Sequence, residues 1–431
     1  MSAVRTESVP HLTTALTGPL LHLERHLLEH QARIEGWLRS QWQRTPPPFY
    51  ASVDLRNAGF KLAPVDTNLF PAGFNNLSPA FTPLCVQAVQ AALDRVRPEA
   101  CRVLVVPENH TRNVHYLESL ASLAAIIAKA GFEVRIGSLL PELEAPRRIE
   151  LPSGRTVTLE PVRREGARLR LDDYRPCLVL LNNDLAGGEP ELLAGLEQPV
   201  VPPPAMGWQR RRKSSHFRHY EAAARELAGL IGLDPWLVTP IFRDCGEIDF
   251  MKRDGEDCLA RNTEVLLAAV EAKYREFGID EEPFVVVKAD SGTYGMAVMS
   301  VRSVEEVREL NRRQRTRMAT TKGGLPVTRV IVQEGVPTAE TWGEAGHVAE
   351  PVVYLIDRFV VGGFYRVHTR RGPRENLNAP GMHFEPLAFA EPCNDPDPAA
   401  DPDAGANRFY AYGVVARLAL VAAAREMAEA V

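Results

Sequence analysis

The chain predicts an α/β protein: an N-terminal open parallel-sheet lobe, then α+β lobes in the second half. Three observations carry this. Residues 102–137 read strand, helix, strand, with apolar runs at 102–106 and 133–137 around an amphipathic stretch at 116–130. That is a βαβ unit, which demands a parallel sheet. Residues 284–301 read strand, small-residue loop and return strand, a hairpin. The 431 residues exceed what one small core organises, so two or three lobes share the body. The expected division is a helical segment over 1–48, the open-sheet lobe with a substrate-binding loop over 49–204, and the α+β lobes with a closing helix over 205–431.

Composition narrows the function classes. Hydrophobic residues make up 45% and charged residues 24%, as in ordinary globular proteins. A net charge of −5 gives no electrostatic footprint for nucleic acid, so the basic clusters at 210–213 and 312–317 read as solvated faces or phosphate contacts. The six cysteines, at 85, 101, 177, 245, 258 and 393, form no Cys-x-x-Cys pair. That argues against a zinc site or a disulfide framework, and for reduced, mostly buried thiols in a cytoplasmic protein. The apolar stretch at 16–28 carries His22, Glu24, Arg25 and His26, so it reads as an amphipathic helix and not as a membrane span or signal peptide.

Taken in order, residues 11–44 read as a helix, with apolar positions recurring at three, four and seven, stopped by the prolines at 46–48. Residues 50–77 form the most unusual polar segment. Asp54, Arg56, Lys61, Asp66, Asn68, Asn75 and Asn76 are spaced by phenylalanines and prolines, which suits a pinned loop. Cations and amides can hold an amino acid's carboxylates and Asp its ammonium; the alternative is a loop whose polar side chains satisfy its own backbone. Residues 79–97 read as a helix. The polar turn at 108–113 follows the first sheet strand at its carboxyl end, where open α/β sheets bind ligands. His110 and His115 near it read as solvated or packing groups. Residues 149–171 suggest a hairpin around Ser153-Gly154, 177–181 a buried strand ending in Asn182-Asn183-Asp184, 189–196 a short helix and 220–231 a longer one, entered after Lys213. A linker at 234–240 and a helix at 258–276 lead to the second hairpin.

In that hairpin a buried strand ends in Lys288, and the loop holds Ser291, Gly292, Thr293 and Gly295. Glycines admit backbone N–H groups to phosphate oxygens, hydroxyls add donors and the lysine neutralises charge. Because the lysine precedes the glycines and the exit is a strand, this is not the phosphate loop that opens a helix. A helix at 304–316 follows, then a strand at 327–332 leading into Gln333-Glu334. Residues 350–368 read as two strands, the second bearing Arg366, which suits a transferring phosphoryl group or a substrate carboxylate. Glu375, Asn376 and Asn378 come next and offer hard oxygens to Mg²⁺. Residues 395–405 read as a linker and 411–430 as the closing helix.

These segments resemble a known family. Lys288 through Met296 is similar to the Gly-rich lid of ATP-grasp ligases, Lys213 to their first nucleotide-contacting lysine and 333–336 to their adenine hinge. With Val53-Asp54-Leu55-Arg56, Phe74-Asn75-Asn76-Leu77 and Gly362-Gly363-Phe364-Tyr365-Arg366, the chain over 45–390 resembles the proteobacterial glutamate–cysteine ligases, which have an ATP-grasp-like nucleotide half. The resemblance implies ATP-grasp-like α+β lobes and ATP-dependent ligation of L-glutamate to L-cysteine through an acyl phosphate, with ATP and Mg²⁺ as cofactors. By it Lys213 and Lys288 hold phosphates, Ser291, Gly292, Thr293 and Gly295 cover them, and Gln333 and Glu334 hold the nucleoside. Asp54, Arg56, Lys61, Asp66, Asn68, Asn75, Asn76 and Arg366 hold substrate, Lys288 and Arg366 act in catalysis, and Glu375, Asn376 and Asn378 hold the metal. The chain departs from the family's metal pattern, which Glu350 or Glu385 would have to complete. Two alternatives stay open: another ATP-grasp carboxylate–amine ligase such as glutathione synthetase, and a non-catalytic amino-acid or nucleotide binding protein.

Overall fold

The computed structural model describes residues 12–13, 19–109, 113–292, 296–321, 324–386 and 408–430. Its mixed α/β architecture rests on three main sheets. The first contains the expected βαβ unit. Arg102–Pro107 pairs in parallel with Glu133–Ser138 on one side and Leu178–Asn182 on the other, and Val200–Val201, Thr156–Pro161 and Arg147–Glu150 extend it to six strands. Its central strands are buried on both faces, as parallel strands are. Val103, Val105, Leu178 and Leu180 pack under Thr82–Val96 and Val114–Lys129. The alternate residues, Leu104, Val106, Val179 and Leu181, join the core built around Lys213–Ile231 and Arg408–Ala430.

The second sheet overturns one expectation. Residues 50–68, read as a loop of the open-sheet lobe, are two antiparallel strands, Tyr50–Asn57 and Leu62–Asn68. They pair with His347–Ile356, whose other neighbours are Thr341–Trp342 and Phe359–His368. Met382–Pro386 and Leu12–Thr13 complete seven strands. The physical reason is a two-residue alternation with an unusual polar side. Ala51, Val53 and Leu55 enter the core, while Asp54 and Arg56 face a cavity instead of bulk solvent.

The third sheet is antiparallel, in the order Phe242–Glu247, Arg329–Glu334, Val285–Ala289, Val298–Val301. It contains the expected hairpin. Val285, Val287, Val330 and Val332 pack on Leu259 and Leu266 of Glu256–Phe277, which leaves Val286 and Lys288 for the opposite face.

Other elements differ locally. The expected helix at 11–44 is two helices, Pro19–Glu29 and Gln31–Arg44, broken at His30. The helix expected at 189–196 is a single turn, Glu191–Leu193, between Pro190 and Gly195. The helix at 304–316 is interrupted where Asn311 forms a capping box with Gln314, splitting it into Val304–Arg308 and Arg312–Met318. The closing helix expected at 411–430 is Arg408–Ala430, and its residues 410–424 are all buried, as suits a helix apolar all round. No helix of the described residues is long and apolar enough to cross a membrane.

Candidate active site

Two adjoining chambers lie along the polar side of the seven-stranded sheet. The first encloses about 810 Å³ of space, part of it open to solvent. Its floor is the free face of the antiparallel sheet. Register places Ser300 and Gln333 either side of Val286, and Val298 and Ile331 either side of Lys288. Lys288 Nζ donates to Gln333 Oε1 (2.5 Å) and to the Val65 carbonyl (2.7 Å). Both acceptors are neutral, and burial pushes its pKa down to about 8, with Lys213 and Arg56 adding to the fall and Asp66 opposing it. Gln333 Nε2 is buried with no acceptor among the described residues. Nearby, Phe284 lies where any side chain at position 335 would stand, 2.2 Å from an ideal Cβ, so only glycine fits there.

Lys213 opens the helix Lys213–Ile231. Its Nζ donates to Asp66 Oδ1 (2.8 Å) and Oδ2 (2.9 Å) and sits 4.0 Å from the centre of the Trp208 ring. Burial alone would raise the pKa of Asp66, but Lys213 and Lys288 outweigh it and hold the carboxyl below its usual range. Asp290, two residues after Lys288, accepts from Ser214 N (2.8 Å) and Ser214 Oγ (2.9 Å), which ties the hairpin to this helix start. Ser291 and Gly292 are half-buried at the hairpin loop, and Gly292 lines the chamber with φ +100°. Thr293 and Gly295 lie outside the described residues.

The far wall is a charge network across the seven-stranded sheet. Arg366 stands opposite Glu350 in register and donates to Glu350 Oε1 (2.5 Å) and Asp54 Oδ2 (3.1 Å). Its Nε is buried with no acceptor among the described residues. Burial raises the pKa of Asp54 against the pull of Arg366, with Glu350 and Asp66 pushing the same way as burial. Glu350 goes the other way: Arg56 and Arg366 overcome its burial and lower it.

The second chamber, about 1270 Å³, opens beyond this wall and shares Asp54, Asp66, Asn378 and Arg366 with the first. Asn68, Asn75 and Asn76 line it from one side. Glu108, Asn182 and Asp184 reach it from the carboxyl ends of the parallel strands, where such sheets present ligand-binding groups. Tyr116 Oη donates to the Asn182 carbonyl (2.7 Å) and accepts from Glu108 N (2.9 Å), fixing the two strand ends together. His115 is exposed at the rim and His110 lies outside the described residues.

Four sequence expectations need correction. Lys61 is fully buried and lines neither chamber; its Nζ is paired with Glu334 Oε1 at 2.8 Å. The Glu334 carboxylate also accepts from Trp236 Nε1 and Ile241 N, so it is spent inside the fold although the residue borders the first chamber. Arg56 lines the first chamber, yet its guanidinium is committed to Glu350 and to the carbonyls of Val336, Pro373 and Glu375. It anchors the 373–375 turn. The proposed metal trio is also altered. Glu375 bonds Arg371 (2.7 Å) and Gly372 N (2.8 Å), and Asn376 Oδ1 accepts from Asn378 N (3.0 Å). All the acids lining the first chamber are ion-paired. Each acid of the first chamber is thus shared with a cation of the protein and, as placed, does not stand ready for Mg²⁺. Glu350 is the residue that sequence reasoning undervalued; its signal was a lone acid in the otherwise apolar strand at 348–356. Trp208 had no such signal.

Comparison with known proteins adds the following. The sequence model of the glutamate-cysteine ligase family matches residues 24–427. A solved structure of a candidate gamma-glutamylcysteine synthetase from Methylobacillus flagellatus KT is 59% identical, covers 98% of this chain and 99% of its own, and superposes with a TM-score of 0.90. A glutathione synthetase-like effector from Globodera pallida is 10% identical over 85% of this chain and 80% of its own (TM-score 0.35), too remote in shape to carry an argument. The same holds for D-alanyl-alanine synthetase A from Vibrio cholerae, 11% identical over 74% and 81% (TM-score 0.32). No curated protein matches the chain.

Proposed function

The chain belongs to the glutamate-cysteine ligase family, and from that premise we propose how its two chambers divide one ligation. ATP occupies the first chamber and the amino acids the second. The carboxylate of L-glutamate takes the γ-phosphoryl group of ATP, and ADP is left. The amine of L-cysteine then attacks the acyl phosphate, the C–O bond to phosphate breaks, and γ-glutamylcysteine forms as the first product of glutathione synthesis. The enzyme's share is positioning and charge neutralisation, with no protein nucleophile.

Lys288 and Lys213 neutralise phosphate oxygens, and the 291–292 turn lies over them. Gln333 Nε2, a buried donor without a partner among the described residues, serves the nucleoside. Glu334 and Lys61 act behind it, by holding the strand that carries Gln333. Arg366 stands at the crossing point, its unspent Nε available to charge on the transferring group or the glutamate carboxylate. The acids and amides of the second chamber suit the ammonium and carboxylate groups of the substrates. In this reading the antiparallel sheet with its Lys-ended hairpin is one jaw of an ATP-grasp-like clamp. Magnesium shields the phosphates of ATP in such chemistry; the acids of the first chamber, each paired with a cation of the protein, do not fit it as they stand. Substrates of this kind place the enzyme in the cytoplasm.

The observation that carries the reading is the shared wall. Asp54, Asp66, Arg366 and Asn378 border a cation-bearing chamber on one side and an amide- and acid-rich one on the other. The test is phosphate release from MgATP by the purified protein with L-glutamate, L-cysteine, both, or γ-glutamylcysteine plus glycine. Release that needs glutamate and cysteine together, with the dipeptide as product, supports the reading. Release only with γ-glutamylcysteine and glycine would move it to glutathione synthetase, and ATP binding without release under any pairing would favour a binding protein.

A further inference from the structure

The ligation needs no cysteine side chain, yet two cysteines of the chain meet. Cys101 and Cys177 immediately precede the neighbouring parallel strands Arg102–Pro107 and Leu178–Asn182, and their Sγ atoms are 3.8 Å apart. Cys101 is exposed and Cys177 partly so. The backbone around both is fixed: Cys177 N donates to the Arg102 carbonyl (2.8 Å) and Glu133 N to the Cys101 carbonyl (2.9 Å). The register that sets Leu178 opposite Val103 leaves Cys101 one residue out of step with Cys177. With strands about 4.8 Å apart and a rise of about 3.3 Å per residue, their Cα atoms stand on the order of 6 Å apart, within the separation of about 4.4–6.8 Å that a disulfide spans. Closing the sulfur gap to a bond of about 2.05 Å therefore asks for side-chain torsion and little backbone movement.

Of the other described thiols, Cys258 donates to the Cys245 carbonyl (3.5 Å), and Asn262 Nδ2 donates to the sulfurs of both Cys245 and Cys258. Cys85 and Cys245 are buried, and burial pushes them up to about 11 and about 12. Burial also raises Cys177, but hydrogen bonding from Cys101 and Arg102 outweighs it and holds this thiol below its ordinary range. A thiolate-leaning sulfur beside a second, accessible thiol is the arrangement that disulfide exchange uses.

We propose that Cys101 and Cys177 form a redox modification site, a dithiol that closes into an intramolecular disulfide by exchange with low-molecular-weight disulfides. The Cys177 thiolate attacks one sulfur of RS–SR. The RS–SR bond breaks, a mixed disulfide forms on Cys177, and the leaving RS⁻ takes up the proton that Cys177 lost. Cys101, deprotonated in turn, attacks the Cys177 sulfur and expels the second RS⁻, which takes the proton from Cys101. The pair gives up two electrons, and one RS–SR becomes two RSH. The disulfides of small acidic thiol peptides are the fitting class, a choice that rests on the ligase reading; the exchange itself does not. The pair lies at the amino ends of strands whose carboxyl ends reach the second chamber, so closure leaves that chamber unobstructed.

The full-length protein is equilibrated in buffers of glutathione and glutathione disulfide, quenched by alkylation, digested and mapped by mass spectrometry. The expected result is a joined pair of peptides carrying Cys101 and Cys177, two hydrogens lighter than the reduced pair and restored by excess thiol. Cys101→Ser is expected to stop at a stable mixed disulfide on Cys177 while keeping the ligase rate of the wild type. The proposal is overturned if both thiols stay fully alkylatable in the oxidising buffer, or if mixed disulfides build up on both without joining. Ligase activity measured on the same samples keeps failure of the exchange separate from failure of the ligase reading.

Discussion

Lys288 holds a charge that its buried surroundings resist. Burial drives its pKa to about 8, and its hydrogen-bond acceptors are a carbonyl and an amide oxygen. A polyphosphate placed against it would restore the preference for the protonated form. Below about pH 8 the free enzyme already carries the proton, so nucleotide binding needs no uptake. Above that value the proton must be regained on binding. The dissociation constant of a non-hydrolysable ATP analogue is thus expected to stay flat up to about pH 8 and then rise by up to tenfold per pH unit. Calorimetry in buffers of different ionisation enthalpy would register proton uptake on the alkaline side only, and Lys288→Met would bind weakly at every pH without the bend. A constant affinity into the alkaline range would remove Lys288 from the phosphates. The same depressed pKa makes this group favour folding as pH rises from about 8 towards the unfolded value of about 10.4, because over that interval the unfolded chain binds the extra proton.

The hairpin Tyr50–Asn57 and Leu62–Asn68 shows what the sequence disclosed and what it hid. The βαβ unit and the Lys288 hairpin were legible because their patterns are local: apolar runs, an amphipathic helix, glycines at a turn. In the 50–68 hairpin the polar side of the alternation faces a chamber, so it resembles a polar loop when read along the chain. Its residues also part company in a way composition cannot reveal. Asp54 and Asp66 reach the shared wall, whereas Lys61, in the turn between the strands, points inward to Glu334. The edge strand Phe242–Glu247 carries no apolar alternation to mark it, because Arg243, Asp244 and Glu247 interrupt it. Lys61 and Glu334 join the hairpin to the antiparallel sheet, and both side chains are wholly buried. Lys61→Met would strand the Glu334 charge and is expected to cost about 3–5 kcal/mol, read as a lower urea midpoint. Adding Glu334→Gln should return most of that loss by removing the stranded charge. A single variant as stable as the wild type would show that the pair does not secure the fold.

In the proposed ligation the larger arrangement makes one demand: a phosphoryl group must pass between chambers that hold their contents apart. Arg366 is placed for this, and its support explains why. Asp54 and Glu350 occupy its two terminal nitrogens; burial alone would lower its pKa, but these acids outweigh it and hold the guanidinium above the usual arginine range, and Nε stays unspent. Lys213 and Lys288 border the first chamber but not the second. Nucleotide binding and phosphoryl transfer should therefore separate under mutation. Arg366→Lys keeps the charge, so Asp54 and Glu350 are not left bare, but it loses the planar fork. The expected outcome is a fall in kcat of roughly a hundredfold or more, the scale of losing one transition-state donor, while affinity for the ATP analogue changes by less than about threefold. Stopped-turnover phosphate release and analogue titration on the same preparation measure the two quantities. If affinity and kcat fell together in proportion, Arg366 would belong to nucleotide binding and the wall would be a partition, not a crossing point. If only kcat fell, the two chambers would be halves of one active site meeting at a single guanidinium.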